Sequence, residues 1–442
     1  MDSIRSLKFS CLAFVVVVAL SGQAFSSTVA VGNCTKLVQF ATIQLAVNAV
    51  PSGSTVKVCS GTYPEQVTIA NKNLTLIGVG PTASTVTVPA SGLVTNGVTD
   101  IFGFPTAAQI FVQNATVTIS HMAVDGANDQ LTGCGVDAVG IYFKNAAGVI
   151  TDNAVRNVLL PPGLQGCQDG LAINVESSTA TAVTISNNSV RNYDKNGITA
   201  SGPSGPNGPK VTITGNTVVG LGATTVIAQN GIQIGYGASG SIQNNYVADD
   251  IYLNPPDCAS SNSCYGSSGI LIWASHGIAV SGNTVESTQY GIVPVSWQPD
   301  GSDSDQTVIA NNHIGGTQLF DAIDVCSNNN GIQKNVIYGS SQDAIHLDDS
   351  CSPSLSYAAS GSGNNVTGNT INEGCAGVLQ GPLTASNSIP LSGVNTNTLM
   401  NVDNLVLGAD SCSPTLAPDA SAKMSGTSAK HLRPSPLKPN RD

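Results

Sequence analysis

The sequence predicts an all-β chain wound as a single-stranded right-handed parallel β-helix, a solenoid whose N-terminal end is covered by a short helix. Three observations lead there. A Gly-apolar-x-apolar motif recurs along most of the chain, twice with Ala in place of Gly. An asparagine followed two residues later by an apolar residue alternates with it. Aromatic residues make up 5% of the chain and charged residues 10%, which fits a narrow aliphatic core better than a globular one.

Residues 1–26 read as a secretory signal. Arg5 and Lys8 precede an almost wholly apolar run over residues 9–20, and Ala24-Phe25-Ser26 offers small residues for cleavage. That run is short for a membrane span, and no later stretch reaches 18 apolar residues, so no membrane insertion is expected. The expected location is therefore secreted or periplasmic. Without Cys11 the chain keeps an even number of cysteines, as an oxidising compartment favours. Their connectivity stays open. Nearest-neighbour pairing would join Cys34–Cys59, Cys134–Cys167, Cys258–Cys264, Cys326–Cys351 and Cys375–Cys412. No Cys-x-x-Cys spacing exists, which argues against a zinc site.

After the signal, Ile43, Ala46, Val47 and Val50 follow Thr42 at helical spacing, so a capped helix is expected over the open end of the solenoid. Cruder rungs follow at 66–69, 73–78 and 115–120. The regular motif then starts at GIYF (140–143) and continues through GLAI, GITA, GIQI, GILI, GIVP, AIDV, AIHL and GVLQ, the last at 377–380. Alternation sends one face of each strand inward, where β-branched Ile and Val suit a pleated surface. Asn153, Asn188, Asn216, Asn245, Asn283, Asn312, Asn335 and Asn369 fall between successive motifs. Asparagine tolerates the left-handed region at a tight bend, and stacked asparagines are expected to bond to one another. The β-helix is thus expected over residues 34–412. From Ser413 the chain is rich in Pro, Ser, Ala and Lys without periodicity, and 413–442 reads as a disordered tail.

The stretch TIQLAVNAVPSGSTVKVCSGTYPEQVTIANKNLTLIG (42–78), followed by the Gly and Asn rungs, resembles the pectin-lyase-like superfamily of β-helix proteins over nearly the whole mature chain. That resemblance implies the fold. It leaves the reaction open, because the scaffold hosts lyases, hydrolases, epimerases, adhesins and binding proteins.

Removing the +1 of residues 1–26 and the +3 of the tail from the formal total of −11 leaves the body at −15, with Arg156 and Arg191 its only arginines. Such a surface repels nucleic acid and anionic membranes, and disfavours a highly anionic substrate unless calcium mediates.

Aligning the motifs asks which side chains stack on the outer face. Two residues after the glycine position stand Tyr142, Ala172, Thr199, Gln233, Leu271, Val293, Asp324, His346 and Leu379. Four after it stand Lys144, Asn174, Ser201, Gly235, Trp273, Val295, Cys326, Asp348 and Gly381. Neighbouring rungs lie about 4.8 Å apart, so Asp324 and His346 become neighbours, with Asp348 one rung on. Asp321 and Asp343 align at the start of the same strands. The two tryptophans, Trp273 and Trp297, belong to the two rungs before this cluster. An indole beside carboxylates on an open strand face would stack on a sugar while the acids act. The candidate catalytic residues are therefore Asp324, His346, Asp348 and Asp349. The candidate substrate-binding residues are Trp273, Trp297, Gln233, Asp321 and Asp343. Segments 249–267, 298–306 and 350–363 would wall the cleft.

Asp324 and Asp348 are offset by one rung and two residues, about 8 Å between Cα atoms by strand spacing. Carboxyl groups roughly 6.5–9.5 Å apart suit an inverting glycosidase, with Asp348 or Asp349 as acid, Asp324 as base and His346 as proton partner. Asp348-Asp349 looks like the adjacent acid pair of β-helix polygalacturonases. The chain departs from that pattern with Ser275-His276-Gly277 in place of Gly-His-Gly and no Arg-Ile-Lys. Lys144 stands six rungs from Asp324, about 29 Å, which argues against lyase chemistry there. Asp300, Asp303 and Asp305 form the best calcium candidate, although no cofactor is required by this chemistry. The expectation is a monomeric polysaccharide hydrolase. A non-catalytic glycan-binding or surface-attachment β-helix is the first alternative, and a uronate lyase or epimerase the second.

Overall fold

Every regular coil contributes one strand to each of three parallel sheets. A computed structural model describes residues 26–167, 169–203, 207–253, 265–296, 303–315, 320–349, 361–407 and 433–434. One coil consists of Asp137–Lys144 in the first sheet, Ala147–Thr151 in the second and Ala154–Val158 in the third. The next repeats the order with Leu171–Glu176, Ala182–Ser186 and Ser189–Tyr193. Each strand pairs in parallel with its counterpart one coil away.

The register lines like residues into columns. In the first sheet Ile141, Ile173, Ile198, Ile232, Ile270, Ile292, Ile323 and Ile345 stack in line, all with no solvent exposure. Each such burial contributes roughly 1.5–3 kcal/mol. Glycine opens most of these strands, and at Gly231 the surroundings leave no room for a Cβ. A Cβ on Gly231 would stand 2.3 Å from Val247 Cγ1 and 2.7 Å from the carbonyl of Gly269.

The asparagines form the predicted ladder at the bend between the second and third sheets. The backbone N–H and Nδ2 of Asn153 both donate to Asn188 Oδ1 at 3.0 Å, and the pattern runs rung by rung to Asn397. Each Nδ2 also donates to a carbonyl, as Asn245 does to Ile213 O at 3.0 Å. The amides therefore satisfy backbone groups that a tight bend would otherwise strand.

The capping helix is present as Ile43–Ala49. Thr42 Oγ1 accepts from Leu45 N, and Ile43, Ala46 and Val47 are buried. Glu65 adds carboxylate bonds to the N–H groups of Ile43 and Gln44 at 2.8 and 3.0 Å. Disulfides join Cys34–Cys59 and Cys134–Cys167. Cys326 is also disulfide-bonded, while Cys258, Cys264, Cys351 and Cys412 lie outside the described residues. So do residues 1–25, most of the segment expected to be a signal. Of the tail expected to be disordered, Arg433–Pro434 pairs in parallel with Tyr265–Gly266.

Between the first coil and the strand Thr106–Gln113 the chain makes an excursion that matters for the outer face. Asn96 N donates to Thr106 O, Thr106 N to Val98 O, and Asp100 N to Phe104 O, closing a hairpin over residues 96–106. Its tip turns on Asp100, whose Oδ1 accepts from the N–H groups of Phe102 and Phe104.

Candidate active site on the first sheet

The outer columns of the first sheet are not an open face. Tyr142, Thr199, Gln233, Leu271 and Val293 have no exposure at all. Trp273 is buried as well, in an apolar cluster with Leu271, Tyr290, Val293, Val295 and Phe320, with Ile101 and Phe102 of the hairpin packed against it. The exposed indole platform expected at Trp273 is thus replaced by packing. Trp297 and Asp300 lie outside the described residues.

The register also corrects the alignment at one rung. Ile173 pairs with Ile141 and Asn174 with Tyr142, so Ala172 is not in the column of Tyr142. The motif at 170 stands two residues out of frame, a shift that keeps the alternation of faces but moves each outward residue into the neighbouring column. Asn174 takes the first outer column, and Glu176, missed in the sequence, takes the second beside Lys144. Only the hydrophobic pattern of that strand, Leu171-Ala172-Ile173-Asn174-Val175, could have revealed it.

Asp324 and His346 pair directly across neighbouring strands, as the spacing predicted. His346 Nδ1 lies 3.3 Å from Asp321 Oδ2 and 3.8 Å from Asp324 Oδ1, and Nε2 lies 4.0 Å from Asp348 Oδ1. Asp321 is fixed in turn, because its Oδ1 accepts from Asp343 N at 3.0 Å. Asp321, Asp324, His346 and Asp348 are all at most 2% exposed. Burial raises the Asp324 carboxyl well above its ordinary range, and the charges of Asp348 and Asp321 push it further. Burial alone would depress His346, but Asp348 and the Asp321 hydrogen bond outweigh it and raise the imidazole well above 6.5. Both shifts favour the protonated forms of Asp324 and His346.

Carboxylate oxygens of Asp324 and Asp348 lie within 4.8 Å of each other. That is shorter than the separation expected for an inverting pair and nearer the roughly 5–5.5 Å of retaining enzymes. Asp349 is occupied elsewhere: its carboxylate accepts from Leu383 N and packs on Gly381. Gln233 belongs to an amide network, accepting from Asn196 Nδ2 at 2.9 Å. Asp303 bonds His276 Nδ1 at 2.6 Å, and Asp305 accepts from Asn328 N at 2.7 Å, so these two carboxylates serve separate protein donors.

No curated protein matches the chain. A family model described as periplasmic copper-binding protein (NosD) matches residues 103–299, fewer than half of the 442. A GH136 lacto-N-biosidase from Eubacterium ramulus superposes with a TM-score of 0.51 at 10% identity, over 86% of this chain and 68% of its own. The surface adhesin PfbA of Streptococcus pneumoniae superposes with a TM-score of 0.51 at 14% identity, over 84% of this chain and 89% of its own. These likenesses show the fold, a right-handed parallel β-helix. Within that β-helix the donor set does not fit a cuprous ion, which favours thiolate, thioether and imidazole. Asp324, Cys326 and Asp348 converge, but Cys326 is disulfide-bonded and offers no thiolate. Asp321, Asp324 and His346 also converge, with one imidazole and two carboxylates. Calcium, which takes six to eight oxygens, is not matched by that set either.

Proposed function

We propose that this is a secreted or periplasmic carbohydrate-active β-helix, acting on a polysaccharide or cell-surface glycan as a glycoside hydrolase. The observation that carries the reading is the close pair Asp324 and Asp348 with His346 against both. A protonated Asp324 is suited to donate to the glycosidic oxygen as the bond to the anomeric carbon breaks. Asp348 is suited to attack that carbon, forming a glycosyl ester. Asp324, now ionised, takes a proton from water, whose oxygen displaces Asp348 and releases the sugar with retained configuration. Asp321 orients His346, whose positive charge steadies Asp348. The disulfides Cys34–Cys59 and Cys134–Cys167 support an oxidising compartment.

A second reading has its own support. The cluster is at most 2% exposed, which also suits a non-catalytic glycan-binding β-helix whose buried acids serve the fold. Release of reducing ends from plant and microbial polysaccharides separates the two. Wild type should release product, and Asp324→Asn and Asp348→Asn should lose it by about 10²-fold or more. Turnover unchanged in both variants, or no release from any substrate, removes the hydrolase reading.

A further inference from the structure

Three to six rungs before the Asp324 cluster, the outer face of the first sheet carries a second polar strip. Tyr142 Oη donates to Glu176 Oε2 at 2.6 Å, Asn174 Nδ2 donates to Glu176 Oε1 at 3.2 Å, and Lys144 Nζ stands 4.0 Å from the same carboxylate. The strip continues through Ser201 and Gln233 on the next two rungs. Asn174, Ser201 and Gln233 are at most 1% exposed. Yet Asn174 Oδ1, Ser201 Oγ and Gln233 Nε2 meet no hydrogen-bond partner. One acceptor, one hydroxyl and one donor are thus left over on three consecutive rungs spaced about 4.8 Å apart.

The 96–106 hairpin roofs this strip. Phe102 packs against the cluster around Tyr142 at one end and meets the ring of Tyr236 edge-on at 4.9 Å at the other. Lys144 Nζ donates to Thr99 O. The hairpin's own backbone bonds close on its own two arms and on the adjoining strand. Its tip, beyond the base where Pro105 O accepts from Asp137 N, rests on the strip through side chains such as Phe102 and Lys144 and can swing away about that base. Buried polar groups without partners are rare in folded proteins, and where they occur they call for an explanation such as an ordered water or ion.

We propose that the strip from Asn174 to Gln233 is a subsite for a neutral sugar, uncovered when the hairpin swings away. Sugar hydroxyls can both give and accept, which matches the mixed set of unmet groups. Phe102 and Tyr236 supply aromatic faces beside it. Glu176 on the sheet and Asp100 at the hairpin tip oppose a uronate, with Lys144 the cation beside Glu176. The inference rests on the carbohydrate-active reading, though not on catalysis at Asp324.

The test is calorimetric titration of the full-length oxidised protein on an Asp324→Asn background, so that no probe is turned over. The probes are cellohexaose, xylohexaose and mannohexaose, with hexagalacturonate as the acidic comparison. At least one neutral hexaose should bind more tightly than hexagalacturonate, and Ser201→Ala should weaken it about tenfold. The same substitution should leave the melting temperature unchanged or raise it, since it deletes a buried hydroxyl that has no protein partner. Phe102→Ser, which loosens the roof, should strengthen binding or speed association. Failure of every neutral hexaose to bind overturns the proposal, as does binding indifferent to Ser201→Ala. A lowered melting temperature for Ser201→Ala overturns it too. Ser201-dependent binding alongside a wild type that releases no product would keep the subsite and remove only the hydrolase reading.

Discussion

Replacing Asn245 by Ala should be among the most damaging single changes outside the hydrophobic columns. Its Oδ1 accepts from both the N–H and the Nδ2 of Asn216 at 2.9 Å, and its Nδ2 donates to Ile213 O and Asn283 Oδ1 at 3.0 Å. Four bonds disappear with the side chain. Asn216 Nδ2 keeps Ile185 O, and Asn283 Oδ1 keeps Asn245 N, so not every partner is stranded. The backbone N–H of Asn216 is stranded, in a bend where Asn245 itself is 2% exposed. At about 1 kcal/mol per lost bond the change costs roughly 4 kcal/mol. Asn245→Asp should cost more, because a carboxylate cannot donate and would face the lone pairs of Asn283 Oδ1. Equilibrium unfolding in guanidinium, followed by circular dichroism on oxidised protein, reads both values. A loss below about 1 kcal/mol for the alanine variant would refute the ladder as a main tie between coils.

Further predictions concern buried acids and glycines. Burial and Asp169 hold Asp194 up at about 8 against an ordinary 3.8. A raised folded value gives stability that is complete near pH 4 and lost as pH climbs towards 8. Wild type should therefore lose up to about 1.4 kcal/mol per pH unit relative to Asp194→Asn between pH 5 and 7. Unfolding midpoints at three pH values check it, and a pH-independent difference would refute it. Lys195, which burial lowers to about 7, acts oppositely, adding stability only as pH rises above that value. Gly148 has φ +132, and a Cβ there would lie 1.9 Å from Val117 O, whereas Gly97 has φ +76 and open space. Gly148→Ala should cost about 3 kcal/mol and Gly97→Ala about 1–2 kcal/mol; equal losses in denaturant titrations would contradict the contact. Asp321→Asn should leave the fold intact, lower the His346 imidazole's proton affinity as followed by NMR, and reduce any hydrolytic rate.

Much of the candidate site was legible because strand alternation and coil length are local properties. Asp324 and His346 meet as the motif spacing implied, since both rungs keep the motif in the same frame. Glu176 was not legible, because the glycine at 170 sits two residues out of frame and the pairing follows the Ile column instead. The 8 Å spacing of Asp324 and Asp348 was a backbone estimate, and the side chains bring the carboxylates within 4.8 Å. The role of Asp349 also escaped a one-dimensional reading, because its partner Leu383 comes from the following turn.

By itself the sequence determined the architecture: a β-helix of stacked strands with an aliphatic inner face, an asparagine ladder and a helix capped by Thr42. Each of these follows from which residue types tolerate a pleat, a bend or a helix start, and such preferences act within a few residues. The tertiary structure alone decided that the outer columns are covered and that Trp273 is packed rather than open. It also decided that Cys326 is bonded and that the 96–106 hairpin lies across rungs far ahead of it in the chain. Burial of that kind depends on where an excursion comes to rest, and no periodicity in the strands beneath records what lies over them.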